Sequence, residues 1–512
     1  MVTDVQPRGI RTAAIANLGC KVNQAEMEGA ARRLRERGIA VIDGHLPADL
    51  VLVNTCTVTA EADAKSRHAV RRARRASPDA AIVVTGCSVQ VGRAAFAATD
   101  PSATLVDNRS KDALLAELDA LLGPGEAASH PGAGAGAGAT SALVARALPT
   151  LSGVAVEATP IDGITDERAS VERTRAFVKV QDGCSFFCTY CIIPTARGPE
   201  RSLSPEVVVA DVRRALAAGH REIVLTGINI GTYDGGWSER GPRGSHRRSA
   251  LTLAGLVRRL LDETGVERIR LSSIEPQHVD DELLRVWTDG APRTMPHVHM
   301  PLQSGDDGVL RRMGRRYTSD AYAAVVRRVR AAIPGVAVHG DVIVGFPTED
   351  DEAWQRSLAF IRAVGFAGIH VFRYSARPGT AATRMAGQVD EPGKKRRAAE
   401  LLAHAAGARE AWAAGRVGAL ADVLFETRLE DGRWVGHAAD HTLVAARPGR
   451  PAADLENVIG RVAIDAVDPD RRDRVLGRIL SMSAPGVTLP ASIGQTPATG
   501  SSPRTGAPIH AG

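Results

Sequence analysis

Cys184-Ser-Phe-Phe-Cys188-Thr-Tyr-Cys191 gathers three of the chain's six cysteines into one short segment. The C-x-x-x-C-x-x-C spacing lies in a loop, after the apolar run Ala176-Phe-Val-Lys-Val-Gln and the turn Asp182-Gly183. A cuboidal iron–sulfur cluster is completed by four thiolates, so three leave one iron without a protein ligand and open to a small molecule. Zinc and plain buried thiols are the competing readings, although zinc sites usually draw on paired C-x-x-C knuckles.

That apolar run is the first of six. Glu222–Thr226, Arg268–Ser272, His297–Pro301, Val336–Val344 and Ile369–Tyr374 follow, alternating with helical patterns, and each ends in a polar or glycine-rich loop. In a (β/α) barrel the reactive residues collect where strands end, so these loops meet at one mouth. Six units rather than eight predict a partial (β/α)6 barrel over residues 173–400, with an opening that admits a large substrate. A connecting helix is expected at 401–417. From 418 to 481 short alternating runs, with Asp431-Gly432 as a hairpin turn, predict a small β-barrel.

Upstream, the other three cysteines share a context. Thr12-Ala-Ala-Ile-Ala-Asn-Leu-Gly-Cys20, Asp49-Leu-Val-Leu-Val-Asn-Thr-Cys56 and Ala80-Ala-Ile-Val-Val-Thr-Gly-Cys87 are strand-like runs, each capped by a cysteine. With helical patterns at 25–37 and 62–76 between them, residues 11–122 read as βα units on a parallel, flavodoxin-like sheet. Such sheets bind ligands at the carboxyl ends of their strands, where all three thiols fall. Three strand-end cysteines by accident is the alternative. Gly123-Pro-Gly and the Gly/Ala-rich stretch from Pro131 mark 123–172 as a flexible linker, and the Pro/Gly/Ser-rich segment 482–512 as a disordered tail.

A chain of 512 residues implies two to four domains. Its 44% hydrophobic and 24% charged residues fit a globular protein. No apolar run approaches the ~20 residues of a membrane span. Met1 to Arg11 lacks the apolar stretch of a secretory signal, which predicts a cytoplasmic protein. The net charge of +6 permits a polyanionic partner without demanding one. Only six of the 64 basic residues are lysine, a bias that weakens arginine runs as a sign of nucleic-acid binding.

With both cysteine sets placed, residues 11–480 resemble the radical S-adenosylmethionine (SAM) methylthiotransferases. Cys184-x-x-x-Cys188-x-Tyr190-Cys191 is similar to the family's radical-SAM loop, and Cys20, Cys56 and Cys87 to its auxiliary-cluster domain. The terminal barrel looks like the family's TRAM domain, an RNA-binding module. Leu18-Gly-Cys-Lys-Val-Asn23, Asn54-Thr-Cys-Thr-Val-Thr59, Cys191-Ile-Ile-Pro-Thr-Ala-Arg-Gly198 and Leu225-Thr-Gly-Ile-Asn229 most resemble the MtaB-type branch, which modifies N6-threonylcarbamoyladenosine at position 37 of tRNA. One departure is Asp306, where the family pattern has serine; it bears on that loop's contacts, not on the fold.

The resemblance implies two 4Fe–4S clusters, one on Cys184, Cys188 and Cys191, the other on Cys20, Cys56 and Cys87. SAM sits on the open iron of the first and, on reduction, yields a 5′-deoxyadenosyl radical. The second carries the sulfur, and a second SAM supplies the methyl group, so that C–H becomes C–SCH3 at adenine C2. The tRNA anticodon loop is the implied partner, with an electron donor such as flavodoxin or ferredoxin, no membrane, and a monomeric chain. Tyr190 is assigned to the adenine of SAM and Gly227 to its methionine part. Glu275, Gln303 and Asp341 are candidates for its ribose or amino group, the alternative being salt bridges or hydrogen bonds at the barrel mouth. His299 is read as core. Two arginine groups, Arg67, Arg71, Arg72, Arg74 and Arg75, and Arg311, Arg312, Arg315 and Arg316, are either phosphate contacts or solvated helix faces. Three other readings stand beside this one: the same chemistry on isopentenyladenosine of tRNA or on a ribosomal-protein aspartate, a different radical-SAM activity, and a non-catalytic metal-bearing RNA-binding protein.

Overall fold

The computed structural model describes residues 9–44, 46–108, 111–122, 174–235, 251–450 and 453–483. The expected linker 123–172 and the expected tail beyond 483 lie outside them.

The first unit alternates β1 (Thr12–Asn17), α1 (Lys21–Glu36), β2 (Ala40–Asp43), β3 (Leu50–Thr55), α2 (Ala60–Ala76), β4 (Ala81–Gly86), α3 (Cys87–Thr99), β5 (Thr104–Leu105) and α4 (Lys111–Leu122). All neighbours pair in parallel in the order β2-β1-β3-β4-β5, a flavodoxin-like sheet. Its strands read as unbroken apolar runs because both faces are covered. Ala14, Ala16, Val51 and Val53 pack with Ala69 and Val70 of α2 on one face. Ala13, Ile15, Leu50 and Leu52 meet Met27, Leu34 and Leu118 on the other. Helix α1 begins at Lys21, four residues before the sequence pattern shows it, because its first turn buries the polar Asn23 and Gln24.

The central strands are β6 (Arg175–Lys179), β9 (Glu222–Thr226), β10 (Arg268–Leu271), β11 (His297–His299), β12 (Ala337–Val344) and β13 (Gly368–Arg373), with the short hairpin β7 (Gln181–Asp182) and β8 (Arg201–Ser202) after the first. They form two parallel three-stranded sheets, β6-β9-β10 and β11-β12-β13, joined by isolated parallel bridges at Ile269–Thr294 and Ser273–His299. The six strands are those expected, shifted by a residue or two at their ends. Helices α5 (Ile193–Arg197), α6 (Pro205–Ala217), α7 (Leu253–Glu263), α8 (Asp281–Asp289), α9 (Asp307–Met313), α10 (Ser319–Ala332) and α11 (Asp351–Val364) connect them.

The side of the barrel between β6 and β13 is bridged by the first unit rather than left open as expected. Lys179, on β6, pairs with Glu26 of α1 at 3.2 Å. Arg377, beyond β13, reaches Thr57 Oγ1 at 2.6 Å and Asp63 at the start of α2.

The helix expected at 401–417 is one continuous helix, α12 (Glu391–Ala414), so residue 400 falls inside an element. Beyond it β14 (Leu420–Arg428), β15 (Trp434–Ala438), β16 (Leu443–Arg447), β17 (Ile459–Val467) and β18 (Arg474–Met482) close a barrel in the order β14-β15-β16-β18-β17. Met482, assigned to the tail from the sequence, ends its last strand. This small barrel seats on the amino ends of β9 and β10. Arg268 donates to the His437 carbonyl at 3.4 Å, and Arg270 to that of Ala438 at 3.5 Å.

Between the two barrels lies Glu222, fully buried and paired with Arg270 at 2.7 Å and Arg268 at 3.4 Å. Burial opposes its charge, but Arg270, Arg268 and Arg175 outweigh burial and hold it at about 2. A carboxylate lowered in this way stabilises the fold above its unfolded value near 4.5, and that contribution disappears as pH falls toward 2. Glu222→Gln, which strands two buried guanidiniums, is expected to cost about 3–5 kcal/mol at neutral pH. Denaturant unfolding between pH 7 and 3 should show a shallower acid loss in the variant; parallel curves would contradict the assignment.

Candidate active site

Cys20 is the N-cap residue of α1, Cys56 follows β3, and Cys87 opens α3. The β1/β3 pair is where the strand order of this sheet reverses, the place where such folds bind ligands. Two glycines let the three loops converge. At Gly86, with φ +105°, a Cβ would sit 2.4 Å from the Thr55 carbonyl oxygen. At Gly19, with φ +123°, it would sit 2.7 Å from Asn23 Nδ2 and 3.1 Å from Cys56 Cβ. Asn23 Nδ2 donates to the carbonyls of Leu18, at 2.9 Å, and Thr55, at 3.1 Å, tying the β1 and β3 loops together. Asn108 Nδ2 donates to Cys87 Sγ at 3.4 Å. Cys56 and Cys87 are buried and Cys20 half-buried; burial, then the neighbouring Cys87 thiol, pushes Cys56 up to about 12.

The second trio is folded by backbone contacts. Gly183 has φ +71°, and a Cβ there would fall 2.0 Å from the Pro199 carbonyl oxygen. Cys184 N donates to Gly198 O at 3.1 Å, Cys191 N to Cys188 O at 2.9 Å, and Thr189 N to Met313 O at 2.9 Å. Burial raises the Cys184 thiol to about 11 and the Cys191 thiol to about 12.

Arg197 joins the trios. Its side chain is 1% exposed, bonding Asp182 Oδ1 at 2.9 Å on the barrel side and Glu26 Oε1 at 3.1 Å and Asn23 Oδ1 on the other. Burial works against its charge, but Cys87, Glu26, Asp182 and Cys20 hold its pKa well above the ordinary value. Beside it, Asn108 Nδ2 also donates to the Ala196 carbonyl at 3.2 Å. The segment from Cys191 to Arg197 therefore runs from the second trio to the first.

The residues assigned to SAM from the sequence have these surroundings. Tyr190 is half-buried with its ring edge-on to Phe346, centroids 6.4 Å apart. A Cβ at Gly227 would meet Gln181, Oε1 at 2.9 Å and Cβ at 3.0 Å, so the chain's own glutamine requires this glycine. Glu275 is paired with Arg315, the salt-bridge alternative. Gln303 adopts φ +69°, uncommon for a side-chain-bearing residue, with its backbone bonded to Asp341 and Ile343. Asp341 lies between His299 Nε2 at 2.8 Å and His370 Nδ1 at 2.9 Å. His299, read from sequence as core, belongs instead to this polar network, with Ser273 Oγ 2.7 Å from its Nδ1. Asp306, the departure from the expected serine, caps α9 by accepting from Val309 N at 2.8 Å and pairs with Arg356 at 2.8 Å.

The arginine groups divide. Arg315, 3% exposed, is an interior residue whose Nη1 reaches Cys188 Sγ at 3.5 Å, so it is not a phosphate contact. Arg74 is committed to Asp100 at 2.9 Å and to the Pro78 and Ala80 carbonyls. Arg71, Arg75, Arg311, Arg312 and Arg316 are exposed, while Arg67 and Arg72 are half-buried. Sequence reasoning missed Arg197, Asn23 and Asn108 as site residues and read Arg315 as a phosphate contact or part of a solvated helix face; in an arginine-rich chain only nearness to cysteine words marks some of them.

Each cysteine set offers three thiols to one site, and three thiolates with one metal corner left open suit a 4Fe–4S cluster that binds a small molecule. Among the described residues, the groups of three ligand atoms lying within 4.8 Å are His297, His339 and His441, and His299, Asp341 and His370.

The Radical SAM superfamily profile matches residues 178–361, and that described as Uncharacterized protein family UPF0004 matches residues 12–107. The chain is 35% identical over 455 residues to threonylcarbamoyladenosine tRNA methylthiotransferase MtaB of Bacillus subtilis (strain 168), covering 88% of this chain and 92% of that one. It is 34% identical over 391 residues to the protein of the same name from Thermotoga maritima, covering 76% and 80%. To tRNA-2-methylthio-N(6)-dimethylallyladenosine synthase of Maricaulis maris (strain MCS10) it is 33% identical over 460 residues, covering 88% and 94%.

Arg197→Met leaves Asp182 and Glu26 buried with one cation fewer and should weaken the docking of the first unit on the barrel by about 3–5 kcal/mol. Hydrogen exchange should rise at the start of α1 and through α5 while the β14–β18 barrel keeps its protection. Unchanged exchange in α1 would show that Arg197 does not hold the two together.

Proposed function

Because the chain belongs to the tRNA methylthiotransferase family of the radical SAM superfamily, we propose that it adds a methylthio group to C2 of N6-threonylcarbamoyladenosine at position 37 of tRNA. The observation that carries this reading is the pair of cysteine trios, one at the strand ends of the flavodoxin-like sheet and one at the barrel mouth, connected by a segment of seven residues ending in Arg197. A single radical-SAM centre needs only the second trio; a first trio joined to it through Arg197 supports sulfur transfer.

Cys184, Cys188 and Cys191 would hold one 4Fe–4S cluster, and Cys20, Cys56 and Cys87 the other. With SAM, these groups supply the radical and sulfur-transfer chemistry when bound. The chain's residues do the rest. Burial of Cys56, Cys87 and Cys188 limits water at those thiols, and Arg315 places a fixed positive charge beside Cys188. Gln303 is held at φ +69° with its side chain half-exposed in the loop after β11, which supports a role in binding SAM. Tyr190 offers a ring face in the same region. Gly227 acts there by making room for Gln181, and Glu275 and Asp341 act through Arg315 and the histidines.

For tRNA, exposed Arg71, Arg75, Arg311 and Arg312 supply cationic points for phosphates, which give affinity rather than choice of sequence. The small barrel is the further candidate RNA surface, and the target base is taken from an unstacked loop. Among the described residues no helix is long and apolar enough to cross a membrane. The reading includes a flavodoxin- or ferredoxin-like electron donor, a monomeric chain and a cytoplasmic setting.

Nucleoside mass spectrometry of tRNA from a strain lacking the gene tests the proposal. 2-Methylthio-N6-threonylcarbamoyladenosine should disappear and its unthiolated precursor accumulate; an unchanged level would refute it. The reconstituted chain should hold about eight irons, and Cys20→Ala should abolish methylthiolation while SAM is still cleaved under reduction. Methylthiolation by the Cys20→Ala protein would reject the assigned role of the first trio.

A further inference from the structure

Where the small barrel meets the central one, three imidazoles from distant parts of the chain come together. His297 opens β11, His339 lies in β12, and His441 sits in the turn between β15 and β16. One ring nitrogen from each lies within 4.8 Å of the other two. The ring of His297 is centred 4.8 Å from that of His339 and 4.8 Å from that of His441. His297 is 4% exposed, and the other two are half-buried.

The surroundings are shaped to hold these rings. A Cβ at Gly368 of β13 would fall 2.6 Å from His339 Cδ2, so glycine there makes room for the imidazole. His441 adopts φ +71°, uncommon for a residue with a side chain, and its amide closes the turn on the Ala438 carbonyl at 2.9 Å. Yet Nδ1 of His297 and Nδ1 of His339 are buried without a hydrogen-bond partner among the described residues. Ring packing alone does not account for histidine here, since phenylalanine would fill the same space without leaving buried nitrogens unbonded. The other close group, His299, Asp341 and His370, differs in this respect. There Asp341 bonds both imidazoles, at 2.8 and 2.9 Å.

The charges around the trio are largely compensated. Arg270 lies beside it, with Nη2 3.5 Å from the Ala438 carbonyl, and is met by Glu222 at 2.7 Å. Arg175 is paired with Glu426 at 3.0 Å, and Lys21 acts on the rings in the company of Asp341 and Cys20. Burial first, and these cations second, lower the proton affinity of all three imidazoles, which favours the neutral form that ligates metals.

We propose that His297, His339 and His441 bind one divalent transition-metal ion, with zinc as the reference, and that the ion clasps the small barrel to the central one. Three imidazole nitrogens, with water in the fourth position, are an established zinc donor set. Bonds of about 2.0–2.1 Å bring tetrahedral nitrogens about 3.3–3.4 Å apart, a closure that side-chain rotation supplies. Two ligands come from strands of the central barrel and one from the small barrel, so the ion would cross-link the two. The site is separate from both cysteine trios and does not depend on the methylthiotransferase reading.

The untagged full chain, with its iron–sulfur clusters reconstituted, is incubated with zinc chloride and desalted. About one zinc per chain should remain beside about eight irons, and X-ray absorption at the zinc edge should show nitrogen or oxygen neighbours at about 2.0–2.1 Å and no sulfur at about 2.3 Å. His441→Phe and, from the other barrel, His339→Leu should each lower zinc content at least about tenfold with iron unchanged. Zinc should also slow hydrogen exchange in the turn between β15 and β16 of the wild type by about tenfold or more. Iron-loaded wild type that retains no zinc overturns the site, as does zinc bound through sulfur or zinc content unaltered in either variant. Bound zinc that leaves exchange in the turn unchanged overturns the clasp. Should a variant lose its iron, the wild-type zinc spectrum decides, because it uses no substitution.

Discussion

One buried guanidinium fixes the relation between the two cysteine-bearing units. Arg197 leaves the barrel loop and ends between Asp182 of its own unit and Glu26 and Asn23 of the other, with almost no exposure to solvent. A charge so placed is tolerable only if its partners stay where they are, since loss of any one leaves the others unpaired in a medium that solvates them poorly. Lys179 with Glu26, and Arg377 with Asp63 and Thr57, repeat the arrangement on the two edges of the barrel gap. Two units that would each fold around their own core are thereby held in one orientation.

The first trio shows how backbone geometry precedes chemistry. A parallel sheet delivers consecutive strand ends to the same edge, so cysteines placed after β1, β3 and β4 arrive together whatever their separation in sequence. Convergence then requires chain segments to approach more closely than side chains permit. Gly19 and Gly86 meet that requirement with positive φ and no Cβ. In the second trio Gly183 does the same against Pro199. Asparagines then cross-link the loops: Asn23 binds the β1 and β3 ends, and Asn108 binds Cys87 to the barrel segment.

Below the mouth the barrel interior is polar, which is unusual for a core and informative here. Glu222 sits at the centre of an arginine cluster covered by the terminal barrel, so the same ion network that seats that barrel also sets the field inside the central one. Histidines line the remainder, and burial lowers the pKa of His297, His299 and His339, with Asp341 opposing that shift at His299.

By itself the sequence determined the three-part architecture, the six barrel strands and both cysteine trios, because short apolar runs ending in polar or glycine-rich loops and strand-end cysteines are local signals. It also carried the family words around Cys20, Cys56 and Cys191. Only the tertiary structure decided which polar residues matter. Arg197 and Arg315 are indistinguishable in sequence from their many arginine neighbours, and what separates them is burial beside thiols and carboxylates that come from distant segments. His299 read as core because strand periodicity reports that a side chain points inward, not whether the interior it meets is apolar. Gly227 and Glu275 were placed at the mouth by their loops, but their neighbours, Gln181 and Arg315, were fixed by how strands and helices pack. The closing of the barrel gap likewise followed from docking between units, a relation for which no stretch of sequence holds a local code.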